Sequence, residues 1–439
     1  MSNPWWAVMS SARWFAGKGR DGRLTAVIPL AWYTPVGELP AIRPEIAEVT
    51  YPDGSIELYQ LLAGYQRPGD GSASELGLVE VAGLGEVALH DAARDPDLLG
   101  HLLGAWLAAS TSGNGVDVVW VDTAGLSPRL PARVFSGEQS NTSIMFGDVA
   151  MAKLFRRLEP GRSLDVEVHA ALAQAGSRAA AHLFGWQSGS WTTSTKTPWE
   201  ADLGMVVAKL PEARDGWELA LAACAAERSF AAEARALGAA LAQVHEQLAD
   251  AFGTQTLLGD TVADTMTRRF EAAREQASVL DGVDVEGAFA PVRGRELRGQ
   301  RVHGDFHLGQ TLSTADGWKI IDFEGEPMKS MAQRREFDSV WRDVAGMLRS
   351  FDYARSGHAQ PGGAAALGWA KQARRAFLQG YGADPDAPAS ELAAYELDKA
   401  IYEVVYEVRN RPDWVHIPAG AVHDLTSTPA GPGGTRQEQ

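Results

Sequence analysis

His303, Asp305, Gln310 and Asp322 fall within one stretch, RVHGDFHLGQTLSTADGWKIIDFEGEP, residues 301–327. An apolar-flanked H-G-D is followed, five residues after its aspartate, by an amide side chain, and a strand-like WKIIDF then ends in a second carboxylate. Phosphoryl transfer from a nucleotide needs this set of parts. One carboxylate takes or orients the acceptor hydroxyl, while an amide and another carboxylate hold Mg2+ against the phosphates. Asp305 is the candidate catalytic residue, on a tight turn from which it can accept the acceptor's proton or aim its oxygen for in-line attack. Gln310 and Asp322 offer the hard oxygen ligands that Mg2+ prefers, with Glu324 available to the same metal cluster or a second ion. His303 reads as a buried hydrogen-bonding brace for the loop, and His307 carries no assignment. A zinc reading of H-x-D-x-H leaves Gln310 and the D-F carboxylate without a task, and it lacks the further ligand such a site recruits.

The other half of such a site must grip a nucleotide. GEQSNTSIMF (137–146) reads as a tight polar turn between strands, with small side chains that leave backbone amides free to point inward. Ser140, Asn141, Thr142 and Ser143 are its candidate phosphate contacts. Lys153, on the next strand, supplies a cation, and Glu167 in the following helix is placed to pair with it.

These parts need two kinds of scaffold. The first 90 or so residues read as β-rich, with strands at 24–33, 47–51 and 55–62 and a Pro-Asp-Gly hairpin at 52–54. Residues 65–77 read as a surface loop, and 96–110 as a helix. A second β-rich stretch (117–122, 132–136, 143–147, 149–157) resembles an antiparallel meander; a helix at 163–176 and a strand at 203–210 follow. Beyond 211, apolar residues recur at helical spacing over 225–252, 262–280, 339–354, 364–382 and 390–410. The expected fold is α+β and bilobal. Residues 1–93 form a cap, 94–210 a β-rich nucleotide-binding lobe, 211–425 a helical lobe with the catalytic loop and acceptor pocket, and 426–439 a disordered tail.

The chain has 439 residues, 45% hydrophobic content and a formal charge of −16, enough core for two or three units and the wrong sign for general nucleic-acid binding. The single Cys224, in an alanine-rich run, reads as a small buried helix residue. No signal-peptide pattern opens the chain and no 18-residue uncharged apolar stretch occurs, so a cytoplasmic enzyme without a membrane span is expected.

The final long helix carries its own signal. At about 100° per residue, Asp398, Tyr402, Tyr406 and Arg409 fall within an arc of about 80°. Ile401, Val404, Val405 and Val408 form an apolar arc expected to face the core. Lys399, Glu403 and Glu407 form a charged arc expected to face water. The Asp/Tyr/Tyr/Arg stripe between them suits a cleft wall, where tyrosines stack on sugar faces and charged groups fix hydroxyls. Arg342 and Asp343 read as charges that brace the helical lobe.

Taken together, RWFAGKGR (13–20), EQSNTS (138–143), HGDFHLGQ (303–310), IDFEGEP (321–327), RDVAGMLRSFDYA (342–354) and LDKAIYEVVYEVRNRPDW (397–414) resemble the actinobacterial maltokinases. That family is related to the aminoglycoside phosphotransferases within the wider protein-kinase-like fold. The spacing follows the protein-kinase catalytic loop and its D-F-G, with H-G-D for H-R-D, Gln for Asn and D-F-E for D-F-G. The resemblance implies transfer of the ATP γ-phosphoryl group, with Mg2+, to the anomeric hydroxyl of maltose. It also implies a role in α-glucan synthesis from trehalose and an association with trehalose synthase. In departure from the family pattern, D-F-H replaces D-L-H, and Trp341 stands where a smaller residue is usual. Two alternatives stay open: a same-fold kinase for glucosamine or an aminoglycoside, and a non-catalytic partner of a trehalose synthase.

Overall fold

β-Branched and aromatic runs punctuated by glycine build the first of two compact units, Met1–Ala170 with Ala181–Pro211. The computed structural model describes residues 3–35, 37–69, 74–109, 115–135, 140–326, 329–386 and 391–427. Helix α1 (Pro4–Ser11) is capped by Asn3, whose side chain accepts from Trp5 N, and begins with proline. An antiparallel sheet follows: β1 (Arg23–Pro29), β2 (Ala41–Thr50), β3 (Ile56–Gln66), β4 (Glu75–Val81) and β5 (Gly85–Asp91), in the order β1-β2-β3-β5-β4. Its core gathers Trp5, Met9, Phe15, Val49, Tyr59 and Tyr65. The expected hairpin at 52–54 joins β2 to β3, with Tyr51 N donating to Ser55 O at 3.0 Å. Helix α2 (Pro96–Ala108) starts on Asp95, whose side chain accepts from the amides of Asp97 and Leu98.

The second sheet of this unit is also antiparallel. It comprises β6 (Val116–Trp120), β7 (Ala132–Val134), β8 (Asn141–Phe146), β9 (Ala150–Phe155), β11 (Leu183–Thr192) and β12 (Pro198–Ala208), in the order β6-β11-β12-β9-β8-β7. The two-residue β10 (Arg157–Leu158) continues from β9 into the first sheet and pairs with β3. Helix α3 (Leu164–Gln174) follows β10 in the chain. Strand β11 arises from LFGWQSGSWT, which alternates too weakly to announce itself. Its glycine at 185 is required because a Cβ there would lie 2.2 Å from Val119 O on the neighbouring strand.

The second unit (Ala171–Ala180 with Glu212–Gln439) is mainly helical. In chain order its elements are β13 (Arg214–Asp215), α4 (Gly216–Ala225), α5 (Ala231–Phe252), β14 (Thr254–Leu258), α6 (Gly259–Arg274), α7 (Glu286–Phe289), β15 (Glu296–Gln300), β16 (Thr311–Thr314), β17 (Gly317–Ile320), α8 (Met331–Arg334), α9 (Trp341–Ala354), α10 (Ala364–Tyr381), α11 (Leu392–Asn410) and α12 (His416–Ser427). Cys224 is buried on α4. Gly238 lets α5 and α10 meet, since a Cβ there would sit 2.2 Å from Phe377 O. Of the tail expected over 426–439, Thr426 and Ser427 instead complete α12, and 428–439 lie outside the described residues. A β-rich N-terminal region and a helical C-terminal region make this the α+β architecture expected. Among the described residues no helix is long and apolar enough to cross a membrane.

Candidate active site

The H-G-D turn follows β15 and is clamped from beneath by one carboxylate. Asp343, in the first turn of α9 and fully buried, accepts from His303 N at 2.7 Å, Gly304 N at 2.8 Å and His245 Nε2 of α5 at 2.9 Å. His245 Nδ1 in turn meets Tyr381 Oη at 2.8 Å, so both ring nitrogens are used. Burial pushes the Asp343 carboxyl up, but the hydrogen bond and charge of His245 outweigh it and hold the group below its ordinary value. Gly304 must be glycine, because its φ is +84°. Helix α9 can lie this close because Gly346 faces the loop, where a Cβ would be 2.5 Å from Phe306 O. Trp341 packs beside Tyr381, ring centroids 6.0 Å apart.

One imidazole links the two candidate carboxylates. Asp305 N donates to His303 Nδ1 at 3.3 Å, and His303 Nε2 lies 2.9 Å from Ile321 O, the residue preceding Asp322. In this arrangement Nδ1 accepts from the loop's own backbone while Nε2 reaches the carbonyl of the second loop. Phe306 and Phe323 flank the ring at 5.6 and 5.1 Å. Ile321 N also donates to Gln310 O at 3.0 Å, so the chain is held from two sides as it enters Asp322. Asp322 there adopts φ +65°, a left-handed conformation that costs a non-glycine residue about 1 kcal/mol or more and persists where its surroundings enforce it.

The structure thus brings Gln310 and Asp322 into contact, Nε2 to Oδ2 at 3.2 Å, and Glu324 follows two residues on. An amide, a strained half-buried carboxylate and a further carboxylate form an all-oxygen donor set that fits Mg2+. Asp305 points elsewhere. Its Oδ1 lies 3.1 Å from Lys399 Nζ on α11. Burial raises the Asp305 carboxyl, but Lys399, with His307 beside it, brings it below its ordinary value.

Helix α11 corrects the sequence reading. The arc of Lys399, Glu403 and Glu407 does not face water: Lys399 pairs with Asp305, Glu403 accepts from Arg349 Nε at 3.0 Å, and Glu407 is 1% exposed, accepting from Tyr353 Oη and Arg411. A charged arc can be internal when every member meets an opposite charge or a hydroxyl. Ile401 and Val404 are buried as expected, whereas Val405 and Val408 are only partly so. Asp398 is buried against Arg269 at 2.8 Å and Arg342 at 3.1 Å. Tyr402 lies under Lys399, whose Nζ is 4.9 Å from the ring centroid. Tyr406 is 41% exposed, and Arg409 donates to Gln276 Oε1.

In the first unit, Asn141, Thr142 and Ser143 belong to strand β8 rather than to a turn, because they pair with Phe155, Leu154 and Lys153 of β9. This shortens the expected polar turn; Ser140 stands just before the strand, and residues 137–139 lie outside the described residues. Thr142 Oγ1 accepts from Arg156 Nε at 2.8 Å, and Arg156 also donates to Gln60 O of β3 at 3.1 Å, tying the two sheets together. Ser143 is buried across from Lys153. Lys153 Nζ donates to Asp165 Oδ2 at 2.9 Å, both groups buried, with Glu167 two residues further along α3. Burial raises Asp165, but Lys153 and then His169 pull it well below its ordinary value.

The sequence reading assigned Asp165 no role, naming Glu167 as the partner of Lys153, and gave Lys399 to solvent. His245 carried no signal at all.

Known proteins resemble the chain at three levels. Residues 9–95 match the maltokinase N-terminal cap domain. The glucosamine kinase of Streptacidiphilus jiangxiensis is 28% identical over 362 residues, covering 74% of this chain and 80% of that protein. That of Mycolicibacterium smegmatis is 27% identical over 325 residues, 67% and 79% of the two chains. Among solved structures, a glucosamine kinase in complex with glucosamine, ADP and inorganic phosphate aligns with a TM-score of 0.66 at 23% identity, covering 97% of this chain and all of that one. A second crystal form of glucosamine kinase gives 0.65 at 22%, over 96% and 99%. At such identities the structural likeness speaks for the fold. The chain is a maltokinase-like protein with a kinase-like fold.

Proposed function

We propose that this maltokinase-like chain is an ATP-dependent sugar kinase that phosphorylates maltose at its anomeric hydroxyl, giving maltose 1-phosphate and ADP. The cap-domain match and the similarity to two glucosamine kinases support a sugar kinase of this fold family. The observation that carries the reading is the shared His303 ring, which couples the loop of Asp305 to that of Asp322 while the two carboxylates keep different neighbours. The division 1–93, 94–210 and 211–425 into cap, nucleotide lobe and acceptor lobe belongs to this reading. So do a cytoplasmic setting and the association with a trehalose synthase in α-glucan synthesis.

In this reading Asp305, ionised, accepts a hydrogen bond from the anomeric hydroxyl and aims its oxygen at the γ-phosphorus. The new O–P bond forms as the bond to the ADP oxygen breaks, and the hydroxyl proton passes to Asp305 late in the transfer. Gln310, Asp322 and Glu324 hold Mg2+, which when bound neutralises charge on the phosphates. Lys153, oriented by Asp165 in the first turn of α3, meets the phosphates along with Ser140 and Asn141, while the buried Thr142 and Ser143 hold strand β8 in place. Tyr402, Tyr406, Arg409 and Asp398 line the approach to the acceptor, with Asp398 acting through the two arginines it fixes.

Asp322→Ala should weaken Mg-nucleotide binding about 10-fold or more while leaving affinity for maltose near normal, measured by calorimetry with a non-hydrolysable nucleotide. An unchanged nucleotide affinity contradicts the assigned role. The activity itself is tested by ADP release with maltose, glucose, glucosamine and kanamycin, and by loss of the sugar's reducing end in the product. Absence of turnover with maltose overturns the choice of acceptor. The glucosamine kinases among the relatives make glucosamine the second reading, which a clear preference in this screen would establish.

A further inference from the structure

The charged arc of α11, turned inward rather than to solvent, puts a cation on the group that must receive the acceptor. Lys399 Nζ lies 3.1 Å from Asp305 Oδ1, with 16% and 19% of the two side chains exposed. The neighbouring carboxylates are taken by other cations: Glu403 by Arg349 at 3.0 Å and Glu326 by Lys329 at 3.4 Å. Among the described residues Asp305 is the carboxylate in direct contact with Lys399, while Glu403 and Glu326 act on the ammonium from further off and each contacts a cation of its own. From the loop itself, His303 and His307 face the same carboxylate; His303 is the brace described above, and burial depresses His307.

Sugar geometry supplies the consequence. When an anomeric oxygen sits at Asp305, the substituent on the adjacent carbon lies about 3 Å from that oxygen, within reach of Lys399. A hydroxyl there is neutral and can accept a hydrogen bond from the ammonium. The protonated amine of a 2-amino sugar meets a like charge in a partly dry site, an arrangement that rejects by repulsion.

We propose that Lys399 is a specificity-determining residue that tunes the acceptor site to neutral sugars and against 2-amino sugars. This rests on the sugar-kinase reading above and names the acceptor class of the same site. The Lys399–Asp305 pair also sets the acid limb of activity. Asp305 must be ionised to hold the acceptor, and its depressed pKa keeps it so at pH values below the ordinary carboxylate range.

Lys399→Gln removes the charge at similar length, and Lys399→Arg keeps it. For the Gln variant the ratio of kcat/KM for glucosamine to that for maltose should rise about 10-fold or more, and the acid limb of kcat/KM for maltose should move up by about 1 pH unit. The Arg variant should hold both near wild type. A ratio and acid limb unmoved in a folded Gln variant overturn the proposal. The wild-type enzyme gives a test that needs no variant: glucosamine should become a better acceptor, relative to glucose, as pH rises through titration of its own amine. A flat ratio overturns the proposal, as does a wild-type preference for protonated glucosamine over maltose. Absence of turnover with every sugar instead defeats the underlying kinase reading, so the two failures are told apart.

Discussion

Asp305→Asn should lower kcat about 10³-fold while leaving the affinity for Mg-nucleotide near the wild-type value. The amide has the size of the carboxylate but cannot take the hydroxyl proton, and it presents Lys399 with a dipole in place of a charge. The loop itself should stay in place, because the bonds that shape it come from the backbone of residues 303–305, from His303 and from Asp343, none of which the substitution touches. Single-turnover kinetics with maltose and calorimetry with a non-hydrolysable nucleotide read the two halves separately. Retention of more than a tenth of wild-type turnover is incompatible with Asp305 as the acceptor-side carboxylate.

Asp343→Asn should do the reverse in kind: it should unfold the second unit more readily and lose activity as a result. Asp343 Oδ2 serves His303 N and His245 Nε2, and Oδ1 serves Gly304 N. An asparagine must turn its NH2 toward one set of donors or the other, so at least one buried N–H is left facing another donor. Breaking a buried network of this type costs about 3 kcal/mol, read as a lower urea midpoint at unchanged slope. The turn that aims Asp305 loosens with it, and a displacement of about 1 Å is worth roughly 10²-fold in rate. The pH dependence adds a check. The native pKa of Asp343 is depressed, so its contribution to stability is complete above the ordinary carboxylate value of about 3.9 and is lost as pH falls through the lower native value. The Asn variant should lack that acid step. A variant as stable as wild type, or one that keeps the step, removes Asp343 as the brace.

The two substitutions differ because the residues sit at different levels of the same network. Asp305 is the group the loop exists to present, and Asp343 is the reason the loop has its shape. The sequence already separates the two, with Asp305 in H-G-D and Asp343 read as a brace, but not what Asp343 braces: the backbone of the loop that carries Asp305.

Much of the candidate site was legible because its logic is local. The H-G-D turn, Gln310 and Asp322 lie close enough in the chain that His303 spans 18 residues to Ile321 and Gln310 spans 12 to Asp322. Local spacing also announced the long helices, whose apolar periodicity follows from 3.6 residues per turn. What tertiary packing decided was which partner each buried charge meets. Lys399 reaches Asp305 across 94 positions, His245 reaches Asp343 across 98, and Asp343 reaches His303 across 40. A helical wheel gives the angle of Lys399, Glu403 and Glu407 but not what lies opposite. Burial of that arc is favourable only because α9 and the catalytic loop bring Arg349, Tyr353 and Asp305 to it. Periodicity in the chain therefore determined which elements form and which carboxylates share a loop. The charge that surrounds Asp305 depends on packing between distant helices, because a lone buried ion is costly and its partner is chosen by the fold.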